Sequence, residues 1–228
     1  MSIRDNIELV NENIAKAAER SGRSASDITL VAVTKTVDIA RINEAISCGV
    51  KALGENKPQE MAEKFPFVQN ASWHMIGHLQ RNKVRHIIDK ADLIHSVDSE
   101  KLAAEIDKRA KAINKVQDIL IQINISGEAT KFGISPTYLE TMIENIQSLQ
   151  NIRVCGLMTI APLGATETQA RNLFENCNKL LIDIRSKKYH NICMEILSMG
   201  MSNDYRLAIE CGSNLVRIGT GIFGKRNY

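Results

Sequence analysis

Apolar residues recur at Ile3, Ile7, Val10, Ile14 and Ala17, a three- and four-residue spacing that lays one stripe along a helix, and Ser21-Gly22 then supplies a stop. An amphipathic opening helix is expected. Beyond it the period changes, and short β-branched runs alternate with amphipathic stretches. The runs predict strands over 29–34, 51–53, 73–76, 92–96, 118–124, 154–158, 193–197 and 214–218, with helices between them such as 40–47, 100–112, 138–149 and 166–186. Strands separated by helices run parallel, because each crossover returns the chain in the same direction, and eight of them point to a closed barrel rather than an open sheet. The expected fold is a (β/α)8 TIM-type barrel with an additional N-terminal helix. The second run is short and no clear helix follows the eighth, a gap the opening helix is placed to cover.

No repeat of 20 to 50 residues and no Pro/Gly-rich linker interrupts this alternation, and prolines number only four, so residues 1–228 are expected to form a single domain. Composition adds limits. With 44% hydrophobic and 24% charged residues a sizeable core can be buried without disulfides or metal. The 29 basic and 26 acidic residues are mixed along the chain, which argues against nucleic acid as the main partner. The five cysteines are odd in number and form no C-x-x-C pair, as in a reduced cytoplasmic protein. No apolar run near Met1 resembles a secretory leader, and no stretch approaches the length of a membrane span.

In barrels of this kind the chemistry sits at the carboxyl ends of the strands. The first run, Leu30-Val31-Ala32-Val33-Thr34, leads straight into Lys35. A desolvated amine there would lose its proton more readily and attack an aldehyde as the free base; alternatively Lys35 snorkels from the barrel mouth and pairs with Glu55. At the far end of the chain lie Ser198-Met199-Gly200-Met201-Ser202 and Gly219-Thr220-Gly221, after the seventh and eighth strands. Loops at those positions often bind phosphate, glycine admitting backbone N–H groups and hydroxyls adding donors; as tight turns and a helix cap they would be purely structural. Together the two ends describe an aldehyde that carries a phosphate, and pyridoxal 5′-phosphate (PLP) is such a ligand. Alternation aims Arg217 into the barrel with Gly219, either facing a pyridine nitrogen that it would hold unprotonated or in a structural ion pair.

Three patterns carry less. Gly219 to Gly224 reads G-x-G-x-x-G, but the following helix and distant acid of a dinucleotide site are not there. His74 and His78 are four apart, yet they fall on a strand broken by Gly77 rather than on one helix, so no metal is expected. Arg81 to His86 is basic and reads as a solvated helix face.

The chain resembles the pyridoxal phosphate homeostasis proteins, a family related to the barrel domain of alanine racemases. The likeness rests on Val31-Ala32-Val33-Thr34-Lys35, Gly54-Glu55-Asn56, Trp73-His74-Met75-Ile76-Gly77, Asn82-Lys83, Gly156-Leu157-Met158, Ser198 to Ser202 and Arg217-Ile218-Gly219-Thr220, spread over nearly the whole chain. It implies a covalent internal aldimine of PLP on Lys35, with Ser198, Gly200, Ser202, Gly219 and Thr220 around the phosphate and Arg217 at the ring nitrogen. Asn56, His74 and Met158 match blocks that line the cofactor pocket, and Lys131 matches a family lysine in the loop after strand five. His78 stands where many members have proline, and Gly221 where many have alanine.

True alanine racemases add a β-domain whose tyrosine serves the partner subunit, and the chain stops at Tyr228 without one. Racemisation needs acid and base on opposite faces of the substrate carbon, and Lys35 supplies one. The resemblance therefore implies a monomeric PLP-binding protein of vitamin B6 homeostasis and amino-acid metabolism, with no catalytic residues and with PLP-dependent apoenzymes as possible transient acceptors. Two enzymes compete with that reading: a weak PLP-dependent amino-acid racemase using Lys131, His74 or water as the other base, and an aldolase with Lys35 as its imine lysine.

Overall fold

The computed structural model describes residues 2–128 and 130–224. Helix α1 (Ile3–Arg20) opens on a reciprocal cap: the Ser2 hydroxyl accepts the Asp5 N–H, and the Asp5 carboxylate accepts the Ser2 N–H. Its buried face is Ile3, Ile7, Val10, Ile14, Ala17 and Ala18, the expected stripe.

All eight expected strands form: β1 (Thr29–Val33), β2 (Ala52–Glu55), β3 (Ser72–Met75), β4 (Leu93–Val97), β5 (Gln117–Gln122), β6 (Ile152–Met158), β7 (Ile192–Ser198) and β8 (Leu215–Ile218). Each pairs in parallel with the next, and β8 returns to β1 through Thr29 opposite Leu215 to Ala32 opposite Ile218, closing the barrel. Strand β2 runs on to Glu55 because the Thr34 N–H bonds Gly54 O and the Ile76 N–H bonds Glu55 O. Sequence pattern ends it early, since Gly54 and Glu55 are poor strand formers.

The crossovers are α2 (Ile39–Ser47), α3 (Pro58–Lys64), α4 (Glu100–Lys111), α5 (Leu139–Ile146), α6 (Glu167–Ser186) and α7 (Tyr205–Glu210). Between β3 and β4, Arg81–His86 is a 3₁₀ segment that buries Val84, not an α-helical face. After β8 comes the single turn α8 (Thr220–Phe223), and α1 packs on α2, α7 and α8, so the opening helix does cover the seam. The Asn6 side chain fastens it by donating to Ile222 O at 2.9 Å.

Alternation sorts the strand residues. Outward positions such as Leu53, Trp73, Ile94 and Val216 pack under the helices, while Val31, Ala52, Leu93, Leu120, Cys155 and Leu215 fill the lower barrel. Among the described residues no helix is long and apolar enough to cross a membrane.

Candidate functional site

The chain leaves β1 through a turn in which the Val37 N–H bonds Thr34 O at 2.9 Å and Thr36 takes φ 62, a left-handed conformation costly for a β-branched residue. A buried ion cluster holds it there. Lys64, on α3, donates to Thr34 O at 2.7 Å, to Glu55 Oε1 at 2.8 Å and to Glu60 Oε1 at 2.7 Å. The Thr34 hydroxyl donates to Glu55 Oε1 at 2.7 Å, and Glu60 accepts the Thr36 N–H. Burial pushes the Glu55 carboxyl up, against the hydrogen bonds from Lys64 and Thr34 that favour its charged form. Glu55 thus faces outward with Thr34 and is gripped by α3, whereas Lys35, the next residue along, is half-buried and lines the cavity on the inner side.

That cavity, about 910 Å³, opens at the carboxyl ends of the strands. Lys35, Asn56, Lys131, Ser202, Arg217, Gly219 and Thr220 line it, so seven of the residues singled out from sequence are brought together. Val33, Ile76 and Ile160 supply apolar wall. The Gly221 N–H donates to Ser202 Oγ at 3.3 Å and ties the two small-residue loops together. Asn56 Oδ1 is shut off from solvent with no hydrogen-bond partner in the structure, and Lys131 Nζ stands 3.1 Å from Glu128 Oε1. The remaining space at Asn56 suits a ligand group, because a buried amide oxygen left unpaired is costly.

Four other predicted residues lie outside this lining. Gly200 packs beneath α7 at φ 94, where an added Cβ would stand 2.6 Å from the Ala208 Cβ, and its carbonyl accepts the Arg217 N–H at 3.0 Å. Met158 fills the inner core. Ser198 and His74 sit a layer below the cavity. Arg217 donates to Ser198 Oγ and, at 3.0 Å, to Thr159 O. His95 lies 2.9 Å from Ser198 Oγ through Nδ1 and 3.0 Å from His74 Nδ1 through Nε2. Burial pushes His74 down to about 4, His95 well below its usual range and Arg217 down to about 10, Asp204 opposing the last. His78 does not join His74. It stacks on Phe132 at 3.8 Å between ring centres and pairs with Asp98 at 3.4 Å.

Sequence reasoning missed His95, Thr159 and Lys64. His95 had a signal, a polar residue in step with Leu93 on the inward face of an expected strand. Lys64 had none beyond Pro58, a common first residue of a helix.

Chemically, the lining brings together two lysines, Lys35 and Lys131, the hydroxyl- and glycine-bearing segments at Ser202, Gly219 and Thr220, and the buried guanidinium of Arg217. That donor set fits a phosphorylated aromatic aldehyde.

Comparison with known proteins agrees in scope. Residues 6–227 match the family model for the alanine racemase N-terminal domain. The chain is 41% identical over 230 residues to the pyridoxal phosphate homeostasis protein of Aquifex aeolicus, covering 100% of both. Its structure is similar to that of PipY from Synechococcus elongatus with PLP bound, with a TM-score of 0.82 and 32% identity over 92% of this chain and 100% of that one. An unknown protein from Bifidobacterium adolescentis gives a TM-score of 0.92 at 36% identity, covering 97% and 94%.

Proposed function

We propose that this chain, which belongs to the pyridoxal phosphate homeostasis protein family and carries its alanine racemase N-terminal domain, binds PLP as a Schiff base on Lys35 and serves PLP homeostasis without sustained turnover. The observation that carries the proposal is the convergence on one cavity of Lys35 from the start of the barrel and of Ser202, Arg217, Gly219 and Thr220 from its end. Bound PLP supplies a reactive aldehyde on a ring that can withdraw electrons from an attached amine.

The chain's own residues do the rest. Lys35 Nζ provides the amine, and the fixed turn after β1 aims it inward. The Ser202 and Thr220 hydroxyls and the backbone of Gly219 and Thr220 take the phosphate, with Ser198 and Gly200 shaping the layer behind them. Arg217 presents a permanent cation to the ring nitrogen and keeps it unprotonated. Asn56 and Lys131 flank the ring, and His74 and Met158 act from below.

Masking rather than turnover is supported by the fate of the alternative base. Both ring nitrogens of His74 have hydrogen-bond partners, Ser72 and His95, and His74 is not among the residues lining the cavity. Lys131 does line the cavity, and it favours the second reading, a weak amino-acid racemase. The protein is further proposed to be one domain over 1–228, monomeric and cytoplasmic, passing PLP to apoenzymes.

Borohydride reduction of the PLP-loaded protein and peptide mapping test the site, with the pyridoxyl group expected on Lys35; its recovery only on another lysine overturns the assignment. For the racemase reading the measurement is deuterium uptake at Cα of amino acids. Uptake no faster than with free PLP is expected, and uptake that Lys131→Met abolishes would replace the homeostasis reading by the enzymatic one.

A further inference from the structure

Beneath the cavity a row of polar side chains crosses the barrel from β8 to β3, and its hydrogen bonds can be read in one direction only. Arginine has no acceptor, so Arg217 donates to Ser198 Oγ. The serine has a single proton to give, and its remaining partner is His95 Nδ1 at 2.9 Å, which must accept it. His95 therefore carries its proton on Nε2 and donates to His74 Nδ1 at 3.0 Å. His74 in turn holds its proton on Nε2, 3.3 Å from Ser72 Oγ, and Ser72 donates to Lys51 O at 3.3 Å. In the opposite pair of tautomers His95 Nδ1–H would take the second lone pair of the serine oxygen and leave the buried serine proton with no acceptor among the described residues. Five donors thus point the same way, from the pocket floor to a backbone carbonyl, an arrangement in which each bond polarises the next.

We infer that His95 and His74 are positioning residues for Arg217: their chain fixes the Ser198 hydroxyl as an acceptor and thereby holds the guanidinium at the ring-nitrogen end of the pocket. The inference rests on the reading that the pocket takes a pyridine ring. Both imidazoles are neutral, since burial disfavours their cations; Arg217 further opposes a charge on His95, and Asp92 only partly offsets the cost at His74. A neutral relay is what a buried guanidinium tolerates, because a second cation beside it would repel it. Neither histidine lines the cavity.

Two experiments on the full chain decide the matter. Long-range 1H–15N correlation spectra of ligand-free protein labelled at histidine, assigned with His74 and His95 variants, should show both rings neutral and protonated on Nε2 between about pH 5 and pH 8. A proton on Nδ1 of either ring, or a cation at neutral pH, overturns the proposal without reference to any ligand.

The second uses PLP labelled with 15N in the ring. Wild type and His95→Gln, whose amide can accept from Ser198 and donate to His74, should give a hydrogen-bonded, unprotonated ring nitrogen whose signal is flat with pH. In His95→Leu that signal should move with pH, and the PLP dissociation constant should rise about tenfold, the scale of one lost buried hydrogen bond. A folded His95→Leu protein with wild-type ring signal and affinity refutes the positioning role; should that variant not fold, the tautomer spectra of the wild type remain decisive. Failure of the wild type to bind PLP would instead strike the pocket reading, leaving the tautomer result standing.

Discussion

Replacing Lys64 by methionine probes the cluster that aims Lys35. The substitution keeps an unbranched side chain of similar length and removes the ammonium, which donates to Thr34 O, Glu55 and Glu60. Glu55 is fully buried and Lys64 only 11% exposed, so the carboxylate left behind cannot recover its solvation from water. Breaking a buried pair by removing one partner costs about 3–5 kcal/mol. In a chain of this size that corresponds to a fall in melting temperature of roughly 6–20 °C.

The loss depends on pH with a defined sign. Burial already raises the Glu55 pKa in the native state, and the two contributions from Lys64 that oppose the rise disappear in the variant. Between the unfolded value, about 4.3, and the raised native value the native state holds a proton that the unfolded state lacks, so stability falls as pH rises through that window. The window is wider in Lys64→Met. Urea unfolding of both proteins at pH 5 and pH 8 should therefore show the larger deficit at pH 8. A deficit below about 1 kcal/mol, or one equal at the two pH values, would refute a charged, water-excluded cluster.

Other expectations follow from the same geometry. Ser202→Ala and Thr220→Val should each weaken PLP binding roughly tenfold or more, as expected for a lost bond to a charged group, while leaving affinity for unphosphorylated pyridoxal unchanged; equal losses for both ligands would remove these residues from the cradle. Gly77→Ala places a Cβ 2.2 Å from Asn56 O and 2.7 Å from Asn56 Cα, so it should cost about 1–3 kcal/mol in thermal stability and also lower PLP affinity by displacing the Asn56 loop. Unchanged affinity would show that Asn56 does not serve the ligand. Lys35→Ala should abolish the visible absorption that PLP gives on the wild type, and a persistent band would point to another amine.

Much of this architecture can be read from the chain because barrel strands are covered on both sides: Leu30 to Val33 or Ile119 to Ile121 announce themselves as buried runs, and Lys35 stands out as a cation where such a run ends. Depth is harder to read. His74 sits in a block that belongs beside the pocket, yet it is one layer lower, because adjacency along a strand fixes which face a residue takes and not how far it lies from the mouth. The suggested partnership of Lys35 with Glu55 gives way for a similar reason: Glu55 bonds Lys64 across a turn and a short helix whose pattern is too brief to detect. His95 meets Ser198 across 103 residues, a contact that only closure creates.

Closure also has a consequence for synthesis. The amine at Lys35 leaves the ribosome early, whereas Arg217 and Thr220 are made last among the parts of the pocket, and Asn6 waits for Ile222, 216 residues on. Non-local pairing of this kind forms late. Under the proposed binding mode a nascent chain would therefore expose its nucleophile without the anion cradle, and capture of a vitamer would begin only when the final strand slots in beside the first.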